Sequence, residues 1–153
     1  MPNYKCHLAG GIFAYGVALI AVILFILPSW ATLCEWLLCA LAGALFPDVD
    51  IKSKGQRLFY WVILALLLVL FVYRRLHMIA FMSIMAVIPM LVKHRGLFHR
   101  TWFVIFVPTV LGWFLCWQLP KCMMIIFFDI LFFIVGALSH LWLDLGVRRM
   151  LRP

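Results

Sequence analysis

Charge is scarce in this sequence. Only 12% of its 153 residues are charged, and just five residues are acidic. A soluble domain keeps roughly a quarter of its residues charged, so this chain could not cover a water-facing surface and the bilayer must be its solvent. Linkers, low-complexity segments and internal repeats are lacking too, which points to one helical domain over residues 1–153. Also missing is the alternation of apolar and polar residues that marks outer-membrane strands. The apolar runs are continuous, and helices are then the remaining way for a backbone to cross hydrocarbon. Cysteine occurs five times (6, 34, 39, 116 and 122), never as CxxC and in odd number. That favours small buried apolar residues in a reducing context over a disulfide framework or cysteine zinc ligands.

What the chain does have is hydrocarbon. It is 68% hydrophobic, with a mean hydropathy of +1.16. Six candidate spans can be drawn, roughly 8–27, 30–46, 57–73, 76–92, 101–118 and 122–145. About 20 apolar residues cross a typical core, and spans of about 17 are at the short limit. Pro28, Pro47 and Pro120 punctuate span ends, while Pro89 and Pro108 fall inside runs. The first run is too long for a signal peptide and is read as a helix. The predicted fold is therefore an all-α membrane bundle of about six transmembrane helices.

Six spans divide the thirteen basic residues unevenly. Ten fall on the side that holds Lys5, Arg57, Lys93 and Arg149, and three (Arg74, Arg75 and Lys121) on the other. Positive loops stay inside, so both termini are expected to be cytoplasmic. The net charge of +8 then sets topology and meets anionic lipid headgroups, and nucleic acid is not an expected partner.

The same face collects the chemistry. His7 opens the first span, "FPDVD" (46–50) ends the second, "KHRGLFHR" (93–100) lies in the second cytoplasmic loop, and "SHLWLD" (139–144) ends the sixth. Ionisable groups at membrane depth are costly and suggest function. His140 and Asp144, four apart on a helix, share a face. Asp48 and Asp50 would diverge on a helix, but after Pro47 they can aim at one point from a turn. His94 and His99 need a bend to converge, which Gly96 offers. Seven donors exceed the needs of one ion. Either two metals share a bridging water, or one is bound and the other donors act as base and support. Mixed imidazole and carboxylate ligands suit zinc, manganese or iron better than calcium, with magnesium open as a second ion. Histidines at a membrane edge also often only solvate. Arg57, Arg95 and Arg100 would ring such a site and could clamp a phosphoester bidentately; the plain alternative is topology charge.

Less informative are the small-residue stripes, Gly10, Gly11, Ala14 and Ala18 on the first span and Ala40 and Ala44 on the second, which suit close helix packing. Asp129, in the outer part of the sixth span, is expected to pair with Arg74, Arg75 or Lys121, and Glu35 to reach headgroup water.

"HLAGG" (7–11), "FPDVDIKSKGQRL" (46–58), "HRGLFHR" (94–100) and "LSHLWLD" (138–144) together resemble the YdjM-like family of bacterial inner-membrane proteins, regarded as metal-dependent hydrolases. The order and spacing agree along nearly the whole chain. Phe98 and Arg100 stand where family members often carry Thr and Ser, and the His that some members place after the second Asp is absent. The resemblance implies that His7, Asp48, Asp50, His94, His99, His140 and Asp144 are the ligand and catalytic positions, with Asp50, His99 and Asp144 as candidates for catalysis. It also implies the bacterial inner membrane as location and one or two divalent ions as cofactor. The function expected is hydrolysis of a phosphoester or lipid-linked substrate by metal-activated water, with membrane lipids as partners. Two alternatives remain: a small metal-ion or solute transporter, and a non-catalytic membrane protein whose metal staples helix ends.

Overall fold

A computed structural model describes residues 4–50, 53–91 and 97–150, together with side chains outside 50, 81, 85, 88–91, 97 and 147–150. Within them the chain forms the helices α1 (Tyr4–Ile23), α2 (Trp30–Leu45), α3 (Lys54–Val72), α4 (Leu76–Leu91), α5 (Thr101–Gln118) and α6 (Met123–Met150). Three short 3-10 turns, Phe46–Asp50, Leu97–His99 and Pro120–Cys122, link or extend them. There is no strand among the described residues. The all-α membrane bundle expected from the continuous apolar runs is the observed fold.

Among the described residues, five helical segments are long and apolar enough to cross a bilayer, and α4, with 16 residues, falls outside that group. At about 1.5 Å per residue it spans roughly 24 Å. It nevertheless returns the chain to the starting face. Tyr60 near the start of α3 donates its hydroxyl to the Ala86 carbonyl near the end of α4 at 3.1 Å. The turn that follows α4 packs against the turn that ends α2. Pro89 and Pro108 both lie within continuous helices.

The bounds of three helices differ from expectation, α3 starting three residues early at Lys54. α1 begins and ends four residues before the apolar run suggests. Pro28 holds the residue before it out of the helical region, and Phe25 and Ile26 close the helix by donating to the Val22 carbonyl. α6 continues past residue 145, but Gly146 breaks it with φ 67° and ψ 160°, a left-handed conformation that glycine adopts without steric cost. The regular helix thus stops one residue after Asp144 is placed.

The bundle is built on α6, which packs against α1, α2 and α5. Its contact with α2 is backbone on backbone. A Cβ on Gly43 would overlap the Phe133 carbonyl, and one on Gly136 would overlap the Ala40 carbonyl. Without a hydrophobic driving force between helices in lipid, such small-residue contact is how spans associate. Trp36, Phe128 and Phe132 fill the outer half of this seam. α3 rests on α4 and on the Phe46–Asp50 turn, and it hardly touches α5.

The cysteine expectation needs correcting. All five are free thiols, but Cys6 and Cys34 are exposed and the others half-buried. Lipid is as apolar as a core, so a thiol there gains little from burial. Asp129 also departs from expectation. It lies beside the Cys39 thiol of α2, and no ion pair engages it among the described residues. Glu35 is exposed, as expected.

Candidate metal centre

Proline placement makes the site. Pro47, fully buried, follows the end of α2 and cannot continue an α-helix, so the chain tightens into the Phe46–Asp50 turn and swings Asp48 under the bundle. Ser53 secures this turn from the far side. Its hydroxyl donates to the Asp48 carbonyl at 2.9 Å and accepts from the Gln56 amide at 3.0 Å, capping α3 at the same time. The Leu97–His99 turn brings His99 in from the start of α5. His140 and Asp144 descend from one face of α6.

Asp48, His99, His140 and Asp144 each offer a ligand atom, and the four atoms lie within 4.8 Å of one another. His140 Nε2 is 3.6 Å from Asp48 Oδ1 and 3.7 Å from Asp144 Oδ2. His99 Nε2 is 3.8 Å from Asp48 Oδ1 and 3.6 Å from Asp144 Oδ2. These separations are too long for hydrogen bonds. They match ligands that share one ion: atoms about 2.0–2.2 Å from a tetrahedral metal sit roughly 3.3–3.6 Å from each other. Two carboxylates and two neutral imidazoles would balance a divalent charge. His140 and His99 are almost wholly buried, while the Asp48 side chain is 21% exposed and forms the open edge.

His140 is oriented by the backbone. Its Nδ1 lies 2.7 Å from the Ala44 carbonyl oxygen, one of the carbonyls that the end of α2 leaves without a helical partner. A carbonyl can only accept, so Nδ1 carries the proton and Nε2 turns a lone pair toward the cluster. Nε2 makes no hydrogen bond among the described residues. A histidine ligand whose second nitrogen is held by an outer acceptor is the usual arrangement at metal sites.

His7 stands one layer behind. Its ring stacks on His140 at a centroid distance of 3.8 Å and an interplanar angle of 16°. Its Nε2 lies 3.5 Å from Asp144 Oδ1, the oxygen turned away from His99 and His140. Asp144 therefore faces His99 and His140 with one oxygen and His7 with the other, and a carboxylate so placed can bridge two ions. "HLAGG" explains how α1 comes so close: Gly11 meets Ala44 on α2, and Gly10 meets Leu143 on α6.

Five of the seven sequence-predicted ligands thus converge: His7, Asp48, His99, His140 and Asp144. Asp50 ends its turn, but its side chain lies outside the described residues, as do His94 and Arg95. Arg100 is exposed and occupies the position before α5. Arg57 lines a cleft with Ser53, Lys54, Gln56 and Tyr60. The roles overlooked in the sequence are those of Ala44, whose carbonyl orients His140, and Phe98, which is 2% exposed and wedged edge-on between Phe46 and Phe103. No side-chain signal marks a carbonyl, but the apolar Phe98 beside a ligand could have suggested a wall.

A family model described as YdjM inner membrane protein matches residues 3–149. The chain belongs to that family. It is accordingly a multi-pass protein of the inner membrane, in agreement with its membrane-length helices. No curated protein and no solved structure matches the chain. The match covers every segment of this YdjM-family chain that contributes to the cluster.

Proposed function

We propose that this YdjM-family protein is a metal-dependent hydrolase that works at the cytoplasmic face of the membrane on a phosphoester, lipid-linked substrates included. The observation that carries the reading is the set of four ligand atoms spaced for a shared ion, two of them on buried histidines, with His140 Nε2 turned inward by the Ala44 carbonyl. Asp48, His99, His140 and Asp144 would hold the cation, and zinc or manganese suits this donor set. A divalent cation held there supplies Lewis acidity, acidifying water and polarising a phosphoryl oxygen.

The chain's own groups do the rest. Asp48, on the open edge, is placed to accept a proton from incoming water, the general-base role for which a carboxylate within hydrogen-bond reach qualifies. His7 and Ala44 hold Asp144 and His140 in orientation. Basic residues at this face, Arg57 and Arg100 among those described, favour an anionic substrate.

The test is hydrolysis of a soluble phosphodiester by purified protein, with metal content measured alongside. Wild-type protein is expected to carry about one or two equivalents of metal and to turn the ester over. His140→Ala and Asp144→Ala should lose the metal and at least 100-fold in rate. Unchanged metal content in both variants would overturn the site. Stoichiometric metal without turnover of any phosphoester would leave a structural staple between helix ends.

A further inference from the structure

Beneath the cluster, the gap between α3 and α5 is an apolar groove of about 540 Å³. Leu58, Val62 and Ile63 line it from α3, and Phe103, Val107 and Leu111 from α5. α2 and α6 close its back through Ala42, Leu45 and Phe133. Along α5 the lining runs from residue 103 to 111, which is roughly 12 Å at about 1.5 Å per residue. It therefore reaches from the cytoplasmic end to about the middle of the bilayer.

Its upper end is made by the site itself. Phe46, Val49 and Phe98 line the groove, and Val49 and Phe98 are nearly fully buried. Val49 follows Asp48 in the chain, and Phe98 precedes His99. The two 3-10 turns thus turn a ligand toward the metal cluster and an adjacent apolar side chain toward the groove.

We propose that this groove seats one hydrocarbon chain of a membrane phospholipid, so that the lipid's phosphoester headgroup lies against Asp48 and His99. This deepens the hydrolase reading and rests on it: the substrate becomes a lipid phosphoester, recognised by its tail. Water is excluded by the chemistry, because the lining offers no polar partners to hold it. A groove of about 540 Å³ lies in the usual ligand range of about 300–1,000 Å³ and admits a single hydrocarbon chain. The groove lies inside membrane-spanning segments, where lipid chains are the surrounding medium.

The experiment is native mass spectrometry of metal-loaded protein in detergent, with long-chain and short-chain phosphatidic acid as probes. Wild-type protein should retain one long-chain lipid and release the short-chain form at least 10-fold more readily. Val62→Trp and Val107→Trp, filling the groove from opposite sides, should each lose long-chain retention at least 10-fold while keeping wild-type metal content, which also reports that they fold. Val69→Trp, on α3 but outside the groove, should retain the lipid like wild type. Equal retention of the two probes, or retention that survives both groove-filling variants, overturns the proposal. So does a dimer that these variants dissociate, since a second copy would then be the occupant. Hydrolysis of the soluble ester is read separately: its loss with retention intact removes the hydrolase reading alone, and its persistence with retention absent removes the groove alone.

Discussion

At the scale of single residues, the site depends on a division of labour around His140. Its Nδ1 bonds the Ala44 carbonyl and its ring stacks on His7, so position and tautomer are both fixed before any ion arrives. His7 Nε2 faces the oxygen of Asp144 that the other histidines do not. His7→Ala is therefore expected to weaken metal affinity by about 10–100-fold, the usual cost of removing an outer partner, without abolishing binding. Competition with a chelating dye measures this. If a second ion is held between His7 and Asp144, stoichiometry falls by one equivalent as well, and wild-type affinity in the variant would reduce His7 to a packing residue. His7, His140 and Asp144 were legible as polar groups at the ends of apolar runs. Their partner, a main-chain carbonyl at a helix end, was not, because every residue carries one.

Among the elements, the seam between α2 and α6 decides whether the ligands can meet. Asp48 is delivered by the end of α2 and His140 by α6, and the two helices touch through Gly43 and Gly136 with no room for a side chain. Gly136→Val should force α2 and α6 apart, lower stability by about 1–3 kcal/mol as overpacking does, and release the metal although no ligand has changed. Thermal unfolding and metal content, read on the same preparation, check both. Metal retained at wild-type level would show that the turns hold the ligands without the seam. Ala40 and Ala44 suggested close packing from their spacing. Their partners across the seam did not follow, since helical periodicity names a face but not what lies against it.

For the whole molecule, four separated segments are tied at one membrane face while α3 and α5 stand apart below. A metal that binds only the folded bundle adds stability by mass action, about 2.7 kcal/mol at a hundred times its dissociation constant. Chelation should therefore lower the unfolding temperature by several degrees, and zinc or manganese should restore it. The Asp144→Ala variant should melt where the chelated wild type does and not respond to either. An unfolding temperature indifferent to chelator would contradict a metal shared between helices.

The sequence alone determined the class of the molecule and predicted an orientation. A chain with so few charges can only live in lipid, uninterrupted apolar runs can only cross it as helices, and ten of thirteen basic residues mark one face. It also placed the donors at that face, because each lies at a span end whose side the topology dictates. Only the tertiary structure decided which donors meet. Whether Asp48, His99, His140 and Asp144 come within 4.8 Å depends on helix rotation and turn geometry, which are set by contacts between segments far apart in the chain, 96 residues for Ala44 and His140. The groove under Phe98 is a tertiary feature for the same reason. It is the space left where two helices do not pack, and no local pattern of residues encodes a gap.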